Sequence, residues 1–166
     1  AYQKAAADFY SVDYANAKVH FAEIAQDNES PWAETADYLV ARTLIRRASL
    51  SSSVMAAKPY YEEAEVHLEK FVSKSGKFAA SAERMLGLIK YRLHPKERVG
   101  ELAKILSFQT GNDNFKQDLI DYTWLLDKFE AEAIQAEEKR KAAIEAAKNG
   151  NTNTVPPTDP DTDSNK

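Results

Sequence analysis

The feature that most constrains the fold of this chain is an internal repeat with a period of 47 residues. Two segments share one spacing of aromatic, small and large apolar residues, Y-x-x-A-x-x-x-F-x-x-I in the first and Y-x-x-A-x-x-x-L-x-x-F in the second. The matched positions are Tyr14, Ala17, Phe21 and Ile24, and then Tyr61, Ala64, Leu68 and Phe71. Because residues three and four apart lie on one face of a helix, each segment is predicted to be an amphipathic helix.

A second match accompanies the first at a period of 46 residues and lies in the neighbouring predicted helices. Thr35-Ala36-Asp37 aligns with Ser81-Ala82-Glu83, Ala41 with Gly87, and Arg46 with Arg92. Paired helices that recur at such a period are typical of a solenoid, in which a unit cannot bury its apolar face alone and must stack on its neighbours. The two registers therefore predict an all-α chain of stacked helical hairpins.

Local signals agree with about seven helices. The chain has only five glycines and six prolines, which favours helices over a sheet. Ser30 is predicted to cap a helix whose first turn holds Pro31. Pro95 lacks an amide proton and disfavours helix in the residue before it, so Ala79 to Leu93 and Lys96 to Ser107 are predicted to be two helices.

The first repeated segment, with Tyr14, Ala17 and Phe21, resembles the second helix of a tetratricopeptide repeat, where a small residue lets two helices approach closely. Ala41 and Gly87 stand where that family places the small residue of its first helix. The resemblance covers residues 5 to 107 and implies an α-solenoid of helical hairpins with a long C-terminal helix. The period exceeds the family's length of about 34 residues, and the excess is assigned mainly to a loop from Ala48 to Lys58.

The character of the sequence changes along its C-terminal part. Residues 1–129 are predicted to form the helical repeat domain, closed by an apolar helix from Phe115 to Leu126. Residues 130–148 are rich in Ala, Glu and Lys and predict an exposed charged helix supported by pairs such as Glu137 with Lys141. Residues 149–166 hold a single large apolar side chain, Val155, and predict a disordered linker or tail.

The resemblance also implies a binding surface, because the first helices of tetratricopeptide hairpins line a concave groove. Aligning on Ala41 and Gly87 places two tyrosines and four arginines there, together with Ile45 and Leu88. The candidate partner-binding residues are Tyr38, Arg42, Arg46, Arg84, Tyr91 and Arg92. Guanidinium groups pair with carboxylates, so these residues would suit an acidic peptide. The alternative is that Asp118, Asp121 and Asp127 neutralise the arginines internally.

Several chemistries find little support in the sequence. The net charge of -4 argues against a protein whose main task is to bind nucleic acid. The chain has no cysteine, which excludes thiolate chemistry and disulfides. No apolar run approaches the length of about 20 residues that a membrane helix needs, and no serine elbow or phosphate-binding glycine loop occurs. The chain is therefore predicted not to be an enzyme and to use no cofactor.

The remaining polar residues are interpreted structurally. His20 and His67 occupy equivalent repeat positions and predict a half-exposed packing role, although His67 with Glu63 has the spacing of a metal pair. The carboxylate pairs, Glu62 with Glu63 and Asp118 with Asp121, are interpreted as charged helix faces. Gly111 is interpreted as part of a turn. Asp159, Asp161 and Asp163 alternate as in half of a calcium loop, but Pro160 interrupts them.

The function that the sequence supports is a protein-interaction scaffold that holds an acidic peptide or protein in a concave helical groove. The alternative is a non-catalytic accessory or regulatory segment of a larger protein, because Pro156, Pro157 and Pro160 in a polar stretch are typical of an interdomain linker. A small-molecule sensor would need an apolar pocket between helices. The chain begins at Ala1, which fits either a processed end or a fragment.

Overall fold

A computed structural model of the chain describes residues 1–73, 76–108 and 114–150. These residues form seven α-helices and no strand, so the prediction of an all-α chain with about seven helices is confirmed. In chain order the helices are α1 (Tyr2–Tyr10), α2 (Tyr14–Gln26), α3 (Ala33–Ser49), α4 (Val54–Ser73), α5 (Ala79–Leu93), α6 (Pro95–Phe108) and α7 (Phe115–Gly150). The predicted division of α5 from α6 at Pro95 is also confirmed, with His94 as the C-cap of α5.

Two predicted boundaries were wrong. The expected loop from Ala48 to Lys58 is much shorter, because α4 begins at Val54 and includes Pro59 in its second turn. Ser53 makes this early start possible, since its side chain accepts a hydrogen bond from the Ala56 amide at 3.1 Å and acts as a cap. A proline in the second turn of a helix removes one backbone hydrogen bond, and this helix tolerates that loss.

The start of α3 was the second wrong boundary. The helix begins at Ala33, so Pro31 precedes it instead of lying in its first turn. The side chain of Ser30 accepts a hydrogen bond from the Trp32 amide at 3.3 Å, which makes a turn before the helix. The indole of Trp32 stacks on the ring of Tyr2 with 4.8 Å between ring centroids. This contact holds the turn against α1.

Burial follows the repeat register closely. Tyr14 and Tyr61 are each 8% exposed, and the small residues Ala17 and Ala64 are both fully buried. The other matched pairs are also buried on both sides, namely Phe21 with Leu68, Ile24 with Phe71, Ala36 with Ala82, and Ala41 with Gly87. Equivalent positions in the two repeats, including Tyr14 with Tyr61 and Ala17 with Ala64, are therefore buried to a similar extent.

The described residues divide into two compact units. In the first, Ala1–Tyr122, each helix from α1 to α5 packs against the helix that follows it in sequence. The core of this unit is built from α2, α3 and α4, with Phe21, Leu44 and Leu68 almost completely buried. Sequential helix contacts of this kind are what a stack of hairpins requires.

The second unit begins at Thr123, inside α7. Residues 130–148 are helical, and every side chain among them is exposed. The helix continues to Gly150, and the rest of the predicted tail lies outside the described residues, as do Gly111 and the three aspartates of the calcium-like motif. No helix in the described parts of the chain has the length and apolar character needed to cross a membrane.

Candidate functional site

The candidate residues on α3 lie along an exposed strip of that helix. Arg42 and Arg46 are exposed, and Tyr38 is half-buried. These positions are four residues apart, so they follow one another along one side of the helix. The Arg42 guanidinium lies 5.9 Å from the centre of the Tyr38 ring, near the outer limit of a cation–π contact. The other side of α3 is buried.

The candidate residues on α5 form a similar strip. Arg84 and Arg92 are exposed, Tyr91 is half-buried, and Leu88 between them is 43% exposed. The Arg92 guanidinium lies 5.8 Å from the centre of the Tyr91 ring. Arg84 donates a hydrogen bond to Ser81 Oγ at 3.1 Å. Each strip thus combines two exposed guanidinium groups with one partly buried phenol ring, and we refer to the two strips together as the arginine face.

None of these four arginines takes part in an ion pair with another described residue. The acids that could have neutralised them in the first unit have other partners: Asp118 Oδ1 lies 3.8 Å from Arg98 Nη2, and Asp121 accepts a hydrogen bond from the Gln117 side chain at 2.8 Å. The four guanidinium groups of the arginine face are therefore exposed, and no ion pair with a described residue neutralises them, although Arg84 lines a cavity together with Asp118 and Asp121.

Tyr38 joins the strip of α3 to the residue that precedes α5. Its ring stacks almost parallel on Phe78, with 4.6 Å between centroids and 12° between planes. Phe78 is the N-cap residue of α5. In addition, Glu34 Oε1 accepts a hydrogen bond from the Lys77 amide at 2.5 Å. The N-terminal end of α5 is thereby held against the side of α3 that carries Tyr38.

A second charged cluster lies between α5, α6 and the start of α7, and sequence reasoning missed it. Arg98 is only 13% exposed at its side chain and contacts Glu101 at 3.2 Å as well as Asp118. Its Nε is buried and has no hydrogen-bond partner among the residues that the structure describes. Lys90 donates to Glu101 at 2.7 Å. The spacing of Arg98 and Glu101 was a usable signal for a helical pair, but Lys90 and Asp118 are too distant in sequence to be assigned from one chain.

This cluster shifts the titration of Glu101. Burial is the largest single influence and raises the pKa of Glu101, but the hydrogen bonds and positive charges of Lys90 and Arg98 together outweigh it and leave that pKa below its ordinary value of 4.5. Gly87 packs against the same arginine, because a Cβ atom at this position would lie 3.0 Å from Arg98 Nη2. The small residue predicted at this place in α5 therefore accommodates a buried guanidinium.

A cavity of about 340 Å³ opens beside this cluster and includes one residue of the arginine face. Its charged lining consists of Arg84 and Arg98 together with Glu83, Asp118 and Asp121. Acidic side chains outnumber basic ones in this lining, and they are not arranged to receive an anion. The cavity differs in this respect from the exposed strips of α3 and α5.

The histidines all contact carboxylates of neighbouring helices. His20 Nδ1 lies 2.6 Å from Asp8 Oδ2, His67 Nε2 lies 2.9 Å from Asp37 Oδ1, and His94 Nε2 lies 3.1 Å from Glu65 Oε2. Glu63, which has metal-pair spacing with His67, contacts Lys18 instead. Across the described segments, no group of three or more histidine, cysteine, aspartate or glutamate side chains is arranged to hold a metal ion.

The remaining carboxylate pair also has separate partners. Glu62 contacts Lys58 at 3.5 Å, one turn earlier in the helix. Glu63 contacts Lys18 across from α4 to α2. The two carboxylates are thus each beside a cation of their own. This arrangement is that of a charged helix face.

No protein-family model matches this sequence, and comparisons with curated proteins and with solved structures give no significant match.

Proposed function

We propose that this chain is a non-catalytic protein-interaction scaffold of tetratricopeptide-like hairpins, and that its arginine face binds an acidic peptide. The observation that carries the proposal is that Arg42, Arg46, Arg84 and Arg92 are all exposed and form no ion pair with a described residue. An acidic protein, with a net charge of -4, has many carboxylates to pair with its arginines. Four guanidinium groups that form no ion pair within the described part of the chain then offer a surface for carboxylates from another molecule.

The side chains suit this role chemically. A guanidinium group offers a planar set of donors that matches a carboxylate in two parallel hydrogen bonds, and it keeps its charge at any physiological pH. The phenol rings of Tyr38 and Tyr91 add partly buried aromatic surface next to the charges. Tyrosine and arginine are among the residue types that are enriched at the binding hot spots of protein interfaces.

The solenoid arrangement is part of the same proposal. Matched burial in the two repeats and the contacts of each helix with the next support a stack in which α3 and α5 are the first helices of successive hairpins. In such a stack these helices share one side, so both strips would face the same groove. The contact of Tyr38 with Phe78 supports this placement, because it joins the side of α3 that carries the strip to the beginning of α5.

The test is a binding measurement with a defined acidic probe. We expect fluorescein-labelled hexa-aspartate to raise its fluorescence anisotropy on binding to the chain, whereas labelled hexa-asparagine should not. Binding should weaken at high salt because the contacts are between exposed charges. The double substitution Arg46→Glu and Arg92→Glu should weaken binding of hexa-aspartate by about tenfold or more, because it reverses two charges of the face.

A matched control keeps the same change in net charge away from the face. Lys104 and Lys139 are exposed lysines that form no ion pair with another described residue. Lys104→Glu with Lys139→Glu should leave binding of hexa-aspartate within about twofold of the original, once the general field is screened by salt. Circular dichroism should show that both double variants are folded. Equal losses in the two variants would mean that only net charge matters, and the proposal would be wrong.

A further inference from the structure

The chain itself contains an acidic segment with the chemistry that the arginine face requires. Residues 151–166 carry three aspartates, Asp159, Asp161 and Asp163, and a single basic residue, Lys166. The segment has no large apolar residue except Val155, so a binding partner would recognise it mainly through its carboxylates. We propose that the arginine face binds residues 151–166 of a second copy of this chain, an inference that rests on the proposed function.

The spacing of the charges fits. Along a helix axis, Arg42 and Arg46 are about 6 Å apart, and Arg84 and Arg92 are about 12 Å apart, at a rise of about 1.5 Å per residue. In an extended chain, Asp159 and Asp161 would be separated by about 6.6 Å, since each residue spans about 3.3 Å. Alternate side chains of an extended segment point to the same side. Two neighbouring aspartates can therefore meet the two arginines of one strip.

The longer distance between the arginines of α5 also matches a distance between aspartates of the segment. Asp159 and Asp163 would lie about 13 Å apart in the same extended segment, close to the separation of Arg84 and Arg92. Pro160 fixes its own φ near the value of an extended chain and lowers the entropy that ordering the segment would cost. The alternation of Asp159, Asp161 and Asp163, which resembles half of a calcium loop, is thus explained as a spacing of carboxylates that matches the spacing of the arginines.

We assign the segment to a second copy. Binding within one chain is distinguished from this experimentally, because only association between copies makes the mean mass rise with concentration.

Binding of this kind joins two different surfaces, the arginine face of one copy and the acidic segment of the next. Such a contact is heterologous, so it can add further copies instead of closing after two. The chain should therefore associate in a concentration-dependent way. Because the contacts are between exposed charges, association should be strongest at low ionic strength and should be screened by salt.

The experiment is sedimentation equilibrium of the full chain over a wide range of concentrations. We expect the mean mass to rise with concentration at low salt, and to fall towards that of the monomer near 1 M salt, where the Debye length is about 3 Å. Asp159→Asn, Asp161→Asn and Asp163→Asn, combined in one chain, should weaken association by about tenfold or more, because the segment loses all three carboxylates. The control variant combines Glu130→Gln, Glu138→Gln and Glu145→Gln, which removes three exposed charges of α7 that form no ion pair with another described residue. It should associate like the original chain.

A mixing experiment then separates lost binding from damage to the fold. The triple Asp→Asn variant keeps a functional arginine face, and the Arg46→Glu and Arg92→Glu variant keeps a functional acidic segment. Each should be monomeric alone, and their mixture should form a one-to-one complex that grows no further. A mixture that stays monomeric, or an original chain that is monomeric at every concentration, would overturn the proposal.

The remaining outcomes identify what failed. If the triple Asp→Asn variant binds labelled hexa-aspartate but the original chain does not self-associate, the face binds acidic peptides and the second copy is the wrong source. If the original chain is monomeric and binds hexa-aspartate more weakly than the triple variant, the segment occupies the face of its own chain, which also overturns the proposal. If no form of the chain binds hexa-aspartate, the proposed function itself is wrong.

Discussion

Helix α4 and residues 130–148 of α7 have the same secondary structure for different physical reasons. One side of α4 is buried, with Tyr61, Leu68 and Phe71 among its core residues, and it packs against α3 and α5. In residues 130–148 every side chain is exposed, and the contacts are local pairs such as Glu137 with Lys141 at 3.9 Å. Packing therefore stabilises the first helix, whereas intrinsic propensity and weak pairs sustain the second.

The largest effect expected from this comparison is a core truncation in α4. Leu68 is fully buried, so Leu68→Ala should lower the free energy of unfolding by about 2 to 5 kcal/mol through lost burial and a residual cavity. Ile144→Ala in α7 is the matched control, because Ile144 is 46% exposed. This substitution should change the free energy of unfolding by less than about 0.5 kcal/mol. Chemical denaturation of both variants measures the difference. Similar losses in the two would contradict the division into a packed and a locally stabilised helix.

A smaller loss of stability is expected when a small residue at a close contact between helices is replaced by a larger one. Ala17 and Ala64 are fully buried at equivalent positions of the repeat. Ala17→Leu and Ala64→Leu should each destabilise the chain by about 1 to 3 kcal/mol, because the added side chain has no space in the core. Ala142→Leu on the exposed part of α7 adds the same atoms and should be nearly neutral. Thermal unfolding of the three variants checks this, and an unchanged melt of Ala17→Leu or Ala64→Leu would count against the shared packing role.

Sequence reasoning predicted the buried positions well because they repeat. The spacing of Tyr14, Ala17 and Phe21 marked a buried face without any knowledge of what covers it, and their equivalents in α4 are buried to the same extent. Helix starts were harder. A loop was predicted to extend to Lys58, yet Ser53 caps α4 and the helix begins at Val54, five residues before Pro59.

The candidate site was also predicted only in part from the sequence. The placement of Arg46 and Arg92 on one surface rested on the family resemblance, through the alignment of Ala41 with Gly87, and both arginines are exposed. The cluster around Arg98 did not follow, because its contacts with Lys90, Glu101 and Asp118 join three helices through long side chains. Which carboxylate a given arginine meets depends on the packing of those helices, and a single sequence does not contain that information.

The smallest predicted effect on stability comes from removing the charge of a carboxylate, either Glu101 in α6 or Glu137 in α7. Glu101 in α6 lies 2.7 Å from Lys90 Nζ and 3.2 Å from Arg98 Nη1, and its side chain is 39% exposed. Glu137 in α7 also has two cations nearby, Arg140 and Lys141, each at 3.9 Å, but all three side chains are at least half exposed. Removing the charge of Glu137 at pH 7 should change stability by no more than about 0.3 to 0.5 kcal/mol, the usual contribution of an exposed pair within one helix.

Glu101 should in addition make stability depend on pH. Because its pKa is lowered in the folded chain, its contribution is present above its ordinary value of 4.5 and is lost as the pH falls through the lowered value. Glu101→Gln should therefore narrow the difference in unfolding free energy between pH 7 and acid, by less than about 1 kcal/mol because solvent screens a partly exposed pair. Lys90→Gln, which removes one of the two donors, should narrow it in the same direction and to a smaller extent. Urea unfolding of the three chains across this range measures the effect, and parallel pH curves for all of them would show that the charges around Arg98 do not hold Glu101 in its ionised form.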